Sequence, residues 1–96
     1  MFARITTFQM KSDKVDEAIK LFRDNIPQVK KKKGAREHYL LLDRKMGKGA
    51  TVAFWDSEED IIASQESGFY QAQWDKFKDF LTAPLVREIY EVIAQR

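Results

Sequence analysis

The chain has 96 residues, 44% of them hydrophobic and 33% charged, the composition of one globular domain rather than of a disordered segment. It has no cysteine, which excludes a disulfide framework, a thiolate nucleophile and a thiolate metal site. A net charge of +2 is too small to point to nucleic acid, and no apolar run approaches the roughly 18 residues of a membrane span.

Residues 2–10 predict a first strand, rich in β-branched and aromatic side chains and free of glycine and proline. Ser12 is the expected N-cap of a first helix, with Asp13, Asp16 and Glu17 placed to suit the positive end of its dipole. Val15, Ala18, Ile19, Phe22 and Ile26 follow the 3.6-residue period and form its apolar stripe. Pro27 removes a helix hydrogen bond, so a kink or an end is expected nearby. The run Lys30 to Lys33 followed by Gly34 reads as the helix C-terminus. Residues 37–43 and 50–56 predict a second and a third strand. The connection between them, 44–49, uses Gly47 and Gly49 for positive φ. Ser57 with Asp60 three residues on resembles a capping box and opens a second helix. Gly68 interrupts that helix, residues 69–81 continue it as an aromatic segment, and Pro84 stops it. Residues 85–93 alternate into a fourth strand. The order β-α-β-β-α-β is the split βαβ pattern of the ferredoxin-like α+β fold with an antiparallel sheet, and residues 1–96 make a single domain.

The strands carry apolar residues on both faces. The second places Tyr39 and Leu41 on one and Leu40 and Leu42 on the other. The third opposes Trp55 to Val52 and Phe54. The fourth opposes Leu85, Ile89 and Ile93 to Val86, Tyr90 and Val92. A sheet with one wet face alternates apolar with polar, and two helices cover only one face. The second apolar face therefore predicts a partner sheet, most simply that of an identical chain.

Chemistry-bearing residues are few. His38 is the only histidine, so a histidine-based metal site has no second ligand of its kind. Trp55, Phe69, Tyr70, Trp74, Phe77 and Phe80 read first as core under the second helix. The sharper reading is a pocket for a flat aromatic ligand, with His38, Tyr70 or Arg87 as polar contacts. The lysine run reads as a solvated helix end rather than a nucleic-acid site. Lys48-Gly49-Ala50-Thr51-Val52-Ala53-Phe54 begins like the third strand of an RNA-recognition domain, but Ala50 and Val52 stand where base-stacking rings belong. Capping and dipole effects account for Glu58, Glu59 and Asp60.

Taken together, Leu41-Leu42-Asp43-Arg44 leading into Gly47-Lys48-Gly49, Trp55-Asp56-Ser57-Glu58-Glu59-Asp60, Ser67-Gly68-Phe69-Tyr70 and Arg87-Glu88-Ile89-Tyr90-Glu91-Val92 resemble the antibiotic biosynthesis monooxygenase-like family of the dimeric α/β-barrel superfamily. The resemblance covers nearly the whole chain. It implies a protomer whose sheet packs on its twin to form a barrel, with a pocket between sheet and helices. It implies either a cofactor-independent oxygenase for phenolic or quinol substrates or a haem-degrading enzyme. Haem-degrading members use a histidine within the segment that here reads Ser67 to Trp74, and this chain has none there. The expected function is thus a homodimeric monooxygenase-like protein that acts on a small aromatic or quinol-type compound without metal or haem. The alternative is a non-catalytic dimer that binds a small molecule or a protein. The substrate-pocket candidates are Trp55, carried over from the oxygenases, with His38, Tyr70, Trp74 and Arg87. The start MFARITTFQM lacks the charged and long apolar regions of a signal peptide, so a cytoplasmic location is expected, with no nucleic-acid or membrane partner.

Overall fold

The computed structural model describes residues 1–96. In chain order it holds β1 (Phe2–Gln9), α1 (Val15–Lys30), β2 (Ala35–Asp43), β3 (Lys48–Trp55), α2 (Glu58–Glu66), α3 (Phe69–Asp75) and β4 (Val86–Glu91). The strands form one antiparallel sheet in the order β2-β3-β1-β4. This is the ferredoxin-like α+β architecture. β1 lies between β3 and β4, so its inward side chains are the most enclosed. No helix is long and apolar enough to cross a membrane.

Register decides which residues meet. Phe2 faces Trp55 and Arg4 faces Ala53 across the β1–β3 pair, while Arg4 faces Ile89 and Thr6 faces Arg87 across β1–β4. Phe2, Arg4, Thr6 and Phe8 therefore share the helix-covered face with Thr51, Ala53 and Trp55. The main core lies there, where Phe8, Met10, Ala18, Phe22, Tyr70, Trp74 and Phe77 pack together. Phe22 of α1 stacks on Phe77 at 4.2 Å between centroids and meets Trp74 edge-on at 5.6 Å. A smaller cluster of Ala53, Trp55 and Ile61 lies under α2.

The opposite face carries Tyr39 and Leu41 of β2, Val52 and Phe54 of β3, and Val86 and Tyr90 of β4. Tyr39, Leu41, Val86 and Tyr90 are each about half exposed. The partition of apolar residues expected from the sequence is observed in β2 and β3 and at Val86, Ile89 and Tyr90, whereas Leu85, Val92 and Ile93 lie outside β4. Val92, Ala94 and Gln95 border a cleft with Tyr39 and Phe54, so the chain's last residues reach only part of this second face.

Three local expectations are corrected. Ser12 does not cap α1, because residues 12–14 form a 3-10 turn that moves the cap position to Lys14, which makes no side-chain cap bond. α1 runs past Pro27 and ends at Lys30, at the lysine run expected to close it, and carries Val29 into the buried stripe with Val15, Ala18, Phe22 and Asn25. Gly47 has φ 71° as expected, whereas Gly49 has no positive φ and lies inside β3. A Cβ on Gly49 would run into the Leu41 carbonyl oxygen and sit 2.8 Å from Cζ of Phe8, so close approach and not backbone freedom explains it. Residues 69–81 are not one helix: α3 ends at Asp75 and a 3-10 turn spans Lys78–Phe80. The Ser57 cap forms as expected, accepting from the Asp60 N–H at 3.2 Å, and Gly68, at φ 83°, separates α2 from α3.

Candidate functional site

A cavity of about 40 Å³ lies between the sheet and the two helices α1 and α3. Its floor is Arg4 of β1, His38 of β2, and Thr51 and Ala53 of β3. One side is Phe22, Asn25, Ile26 and Val29 of α1; the other is Phe69, Tyr70, Gln73, Trp74 and Phe77. Most of the wall is apolar, and no aspartate or glutamate takes part in it.

Arg4 dominates the electrostatics. It is 5% exposed, forms no ion pair, and its Nη1 has no hydrogen-bond partner. Its guanidinium lies 4.0 Å from the centre of the Tyr70 ring and 5.3 Å from that of Trp55. These aromatic faces attract a cation but accept no strong hydrogen bond. Burial is the main cause that lowers the Arg4 pKa to about 10; Tyr70 opposes it and Arg87 reinforces it.

Two further orphaned groups line the same cavity, Asn25 Nδ2 and His38 Nδ1. The Asn25 Oδ1 is occupied by the Lys76 ammonium at 3.3 Å, which leaves its amide N–H groups free. Burial first, then the charges of Arg4 and Lys30, lowers the His38 pKa to about 4, so this imidazole is neutral at pH 7. Tyr70 OH and Thr6 Oγ1 share a hydrogen bond of 2.6 Å, which fixes the phenol against β1. The arrangement holds cationic and polar groups in an apolar shell. Nowhere do three His, Asp or Glu side chains gather as a metal site needs.

Of the five residues singled out in the sequence, His38, Tyr70 and Trp74 meet at this cavity. Trp55 does not line it. Its register opposite Phe2 places it under α2, where it is 1% exposed and touches the cavity only through Arg4. Arg87 also stands outside the wall, with its guanidinium 5.3 Å from the Tyr70 ring centre. Tyr70 thus lies between two guanidiniums. Sequence reasoning missed Arg4, Asn25 and Gln73. Arg4 carried a signal, since it is a charged residue in the inward series Phe2, Arg4, Thr6, Phe8. Asn25 carried one too, three residues after Phe22 in the buried stripe of α1.

Solved structures share this fold at low sequence identity. A candidate antibiotic biosynthesis monooxygenase from Nitrosomonas europaea superposes with a TM-score of 0.81 at 20% identity, over 98% of this chain and 100% of that one. Rv0793 from Mycobacterium tuberculosis gives 0.78 at 17% identity, over 98% and 96%. A conserved protein from Methanosarcina mazei Go1 gives 0.79 at 17% identity, over 93% and 89%. Comparison with curated proteins gives no match. The family model described as antibiotic biosynthesis monooxygenase matches residues 1–83, most of the chain. The chain belongs to the antibiotic biosynthesis monooxygenase family.

Proposed function

We propose that this protein is a homodimeric, cofactor-independent monooxygenase that acts on a small aromatic or quinol-type compound bound between the sheet and helices α1 and α3. The observation that carries the reading is the cavity itself, aromatic-walled with Tyr70, Trp74, Phe69 and Phe77, and furnished with few polar groups, in a chain of this family. The reaction needs no external reductant. A phenol with a free para C–H supplies four electrons to dioxygen. One oxygen atom becomes the second carbonyl of the quinone, and the other leaves as water with the two hydrogens lost from O–H and C–H. The neutral His38 or the Tyr70 hydroxyl, held by Thr6, would orient the substrate hydroxyl, and catalysis would rest on positioning in a dry site. The reading involves no haem, since residues 67–74 hold no histidine.

The homodimer is supported by the half-exposed apolar face. Tyr39, Leu41, Val86 and Tyr90 are each about half exposed on one side of the sheet. A second copy of the same face would close it with matching chemistry and add core to a small domain.

One observation favours the second reading, a non-catalytic dimer that binds a small molecule or protein. A cavity that admits one benzene ring measures about 150 Å³, and this one holds about 40 Å³. Substrate entry therefore requires the half-exposed Ile26 and Phe69 to move aside. Oxygen consumption with simple naphthols and quinols decides between the two. Uptake that falls in Tyr70→Phe supports the oxygenase. No uptake with any phenol refutes it and leaves the binding module.

A further inference from the structure

Three unsatisfied polar groups converge on one small cavity: Arg4 Nη1, Asn25 Nδ2 and His38 Nδ1. Buried polar groups are nearly always partnered, and a buried charge without a counter-ion is the most unfavourable exception. Arg4 is such a charge, and it has no carboxylate within ion-pair distance. The nearby charges do not relieve it. Lys76 reaches Asn25, and Arg87 stands across the Tyr70 ring, so the surroundings add positive potential. This balance of charge favours an anion.

We propose that the cavity binds the carboxylate of a small organic acid, with the Arg4 guanidinium as counter-ion and Asn25 and His38 as hydrogen-bond partners. The guanidinium is planar and presents paired N–H donors that match the two oxygens of a carboxylate. The Asn25 amide supplies another donor, and His38 supplies an N–H when Nδ1 carries its proton. The volume suits the head group: about 40 Å³ takes a carboxylate in place of one or two waters but not the ring attached to it. The rest of the acid extends toward Ile26, Phe69 and Gln73, the half-exposed part of the wall, where aromatic and aliphatic surface favours an aromatic body. This inference rests on the reading of the cavity as the ligand site and narrows it to aromatic acids.

Calorimetric titration of the purified protein with benzoate and with its neutral isostere benzamide tests this. Benzoate is expected to bind at least tenfold more tightly. In Arg4→Met the benzoate affinity falls to that of benzamide, and in Arg4→Lys, which keeps the charge but loses the planar fork, it falls in part. Equal affinity for the two compounds, undiminished benzoate binding in Arg4→Met, or no benzoate binding at millimolar concentration would each overturn the proposal; the last would mean that water alone satisfies these groups. The wild-type comparison stands even if a variant fails to fold. Oxygen uptake with neutral naphthols but no benzoate binding would overturn the carboxylate site and leave the oxygenase. Selective benzoate binding without any oxygen uptake would support the site and refute the oxygenase.

Discussion

Lowering the pH from about 7.5 to about 5 perturbs His38 before it reaches most carboxylates. In the unfolded chain this imidazole binds its proton at the ordinary value of 6.5, and in the fold at about 4. Burial is the main cause, with the positive charges of Arg4 and Lys30 acting in the same direction. The folded pKa is depressed, so the unfolded state binds the proton first as the pH falls. The stability tied to neutral His38 is fully present above about 6.5 and is lost progressively down to about 4. The linkage relation removes about 2 kcal/mol at about pH 5, against less than about 0.1 kcal/mol at about pH 7.5. Urea melts at fixed protein concentration read this as a midpoint lowered by about 1–2 M. His38→Gln removes the titrating group, and its midpoint is expected to move by only a small fraction of that over the same range. Equal losses in wild type and variant, or a His38 pKa near 6.5 by NMR titration, would refute the reasoning.

In the ligand-free protein, Arg4→Met should raise stability although Arg4 is central to the site. The depression of its pKa corresponds to about 3 kcal/mol against the charged form, and lost attraction to the Tyr70 and Trp55 rings offsets up to about 2 kcal/mol of the gain. A net gain of about 1 kcal/mol would raise Tm by about 4–8 °C in calorimetry, and a lower Tm would contradict an unpaired charge. Leu41→Asp places a carboxylate on the open face. With about 1 kcal/mol lost per protomer, the dimer Kd measured by analytical ultracentrifugation should rise roughly 30-fold; an unchanged Kd would move the interface elsewhere. Gly49→Ala drives a methyl group into the Leu41 carbonyl and the Phe8 ring, and should lower unfolding free energy by about 1–3 kcal/mol in urea melts.

Much of the fold was legible in the sequence because its signals are local. Ser57 with Asp60 marks the start of α2, Gly68 marks its break from α3, and alternation places Tyr39 and Leu41 opposite Leu40 and Leu42. Where tertiary packing overrides local preference, the sequence misled. Ser12 reads as a cap, yet a 3-10 turn over residues 12–14 moves the start of α1 to Val15. Gly49 looked like a turn residue because its neighbour at 47 is one, while its role depends on Phe8 of another strand. The site was legible in part for the same reason. His38, Tyr70 and Trp74 could be chosen by residue type, but the burial of Arg4 follows from β1 lying second from the edge of β2-β3-β1-β4, beneath the helices, and only the assembled sheet reveals that. The absence of a carboxylate beside it is likewise a property of the whole cavity and of no single motif.

Native mass spectrometry of freshly purified protein tests the central claim most directly, since it reads both the partner sheet and the occupant of the cavity. The account predicts a species of twice the 11.3 kDa chain mass that carries small organic acid, released when the dimer is activated in the gas phase. A bare monomer at micromolar concentration would contradict it.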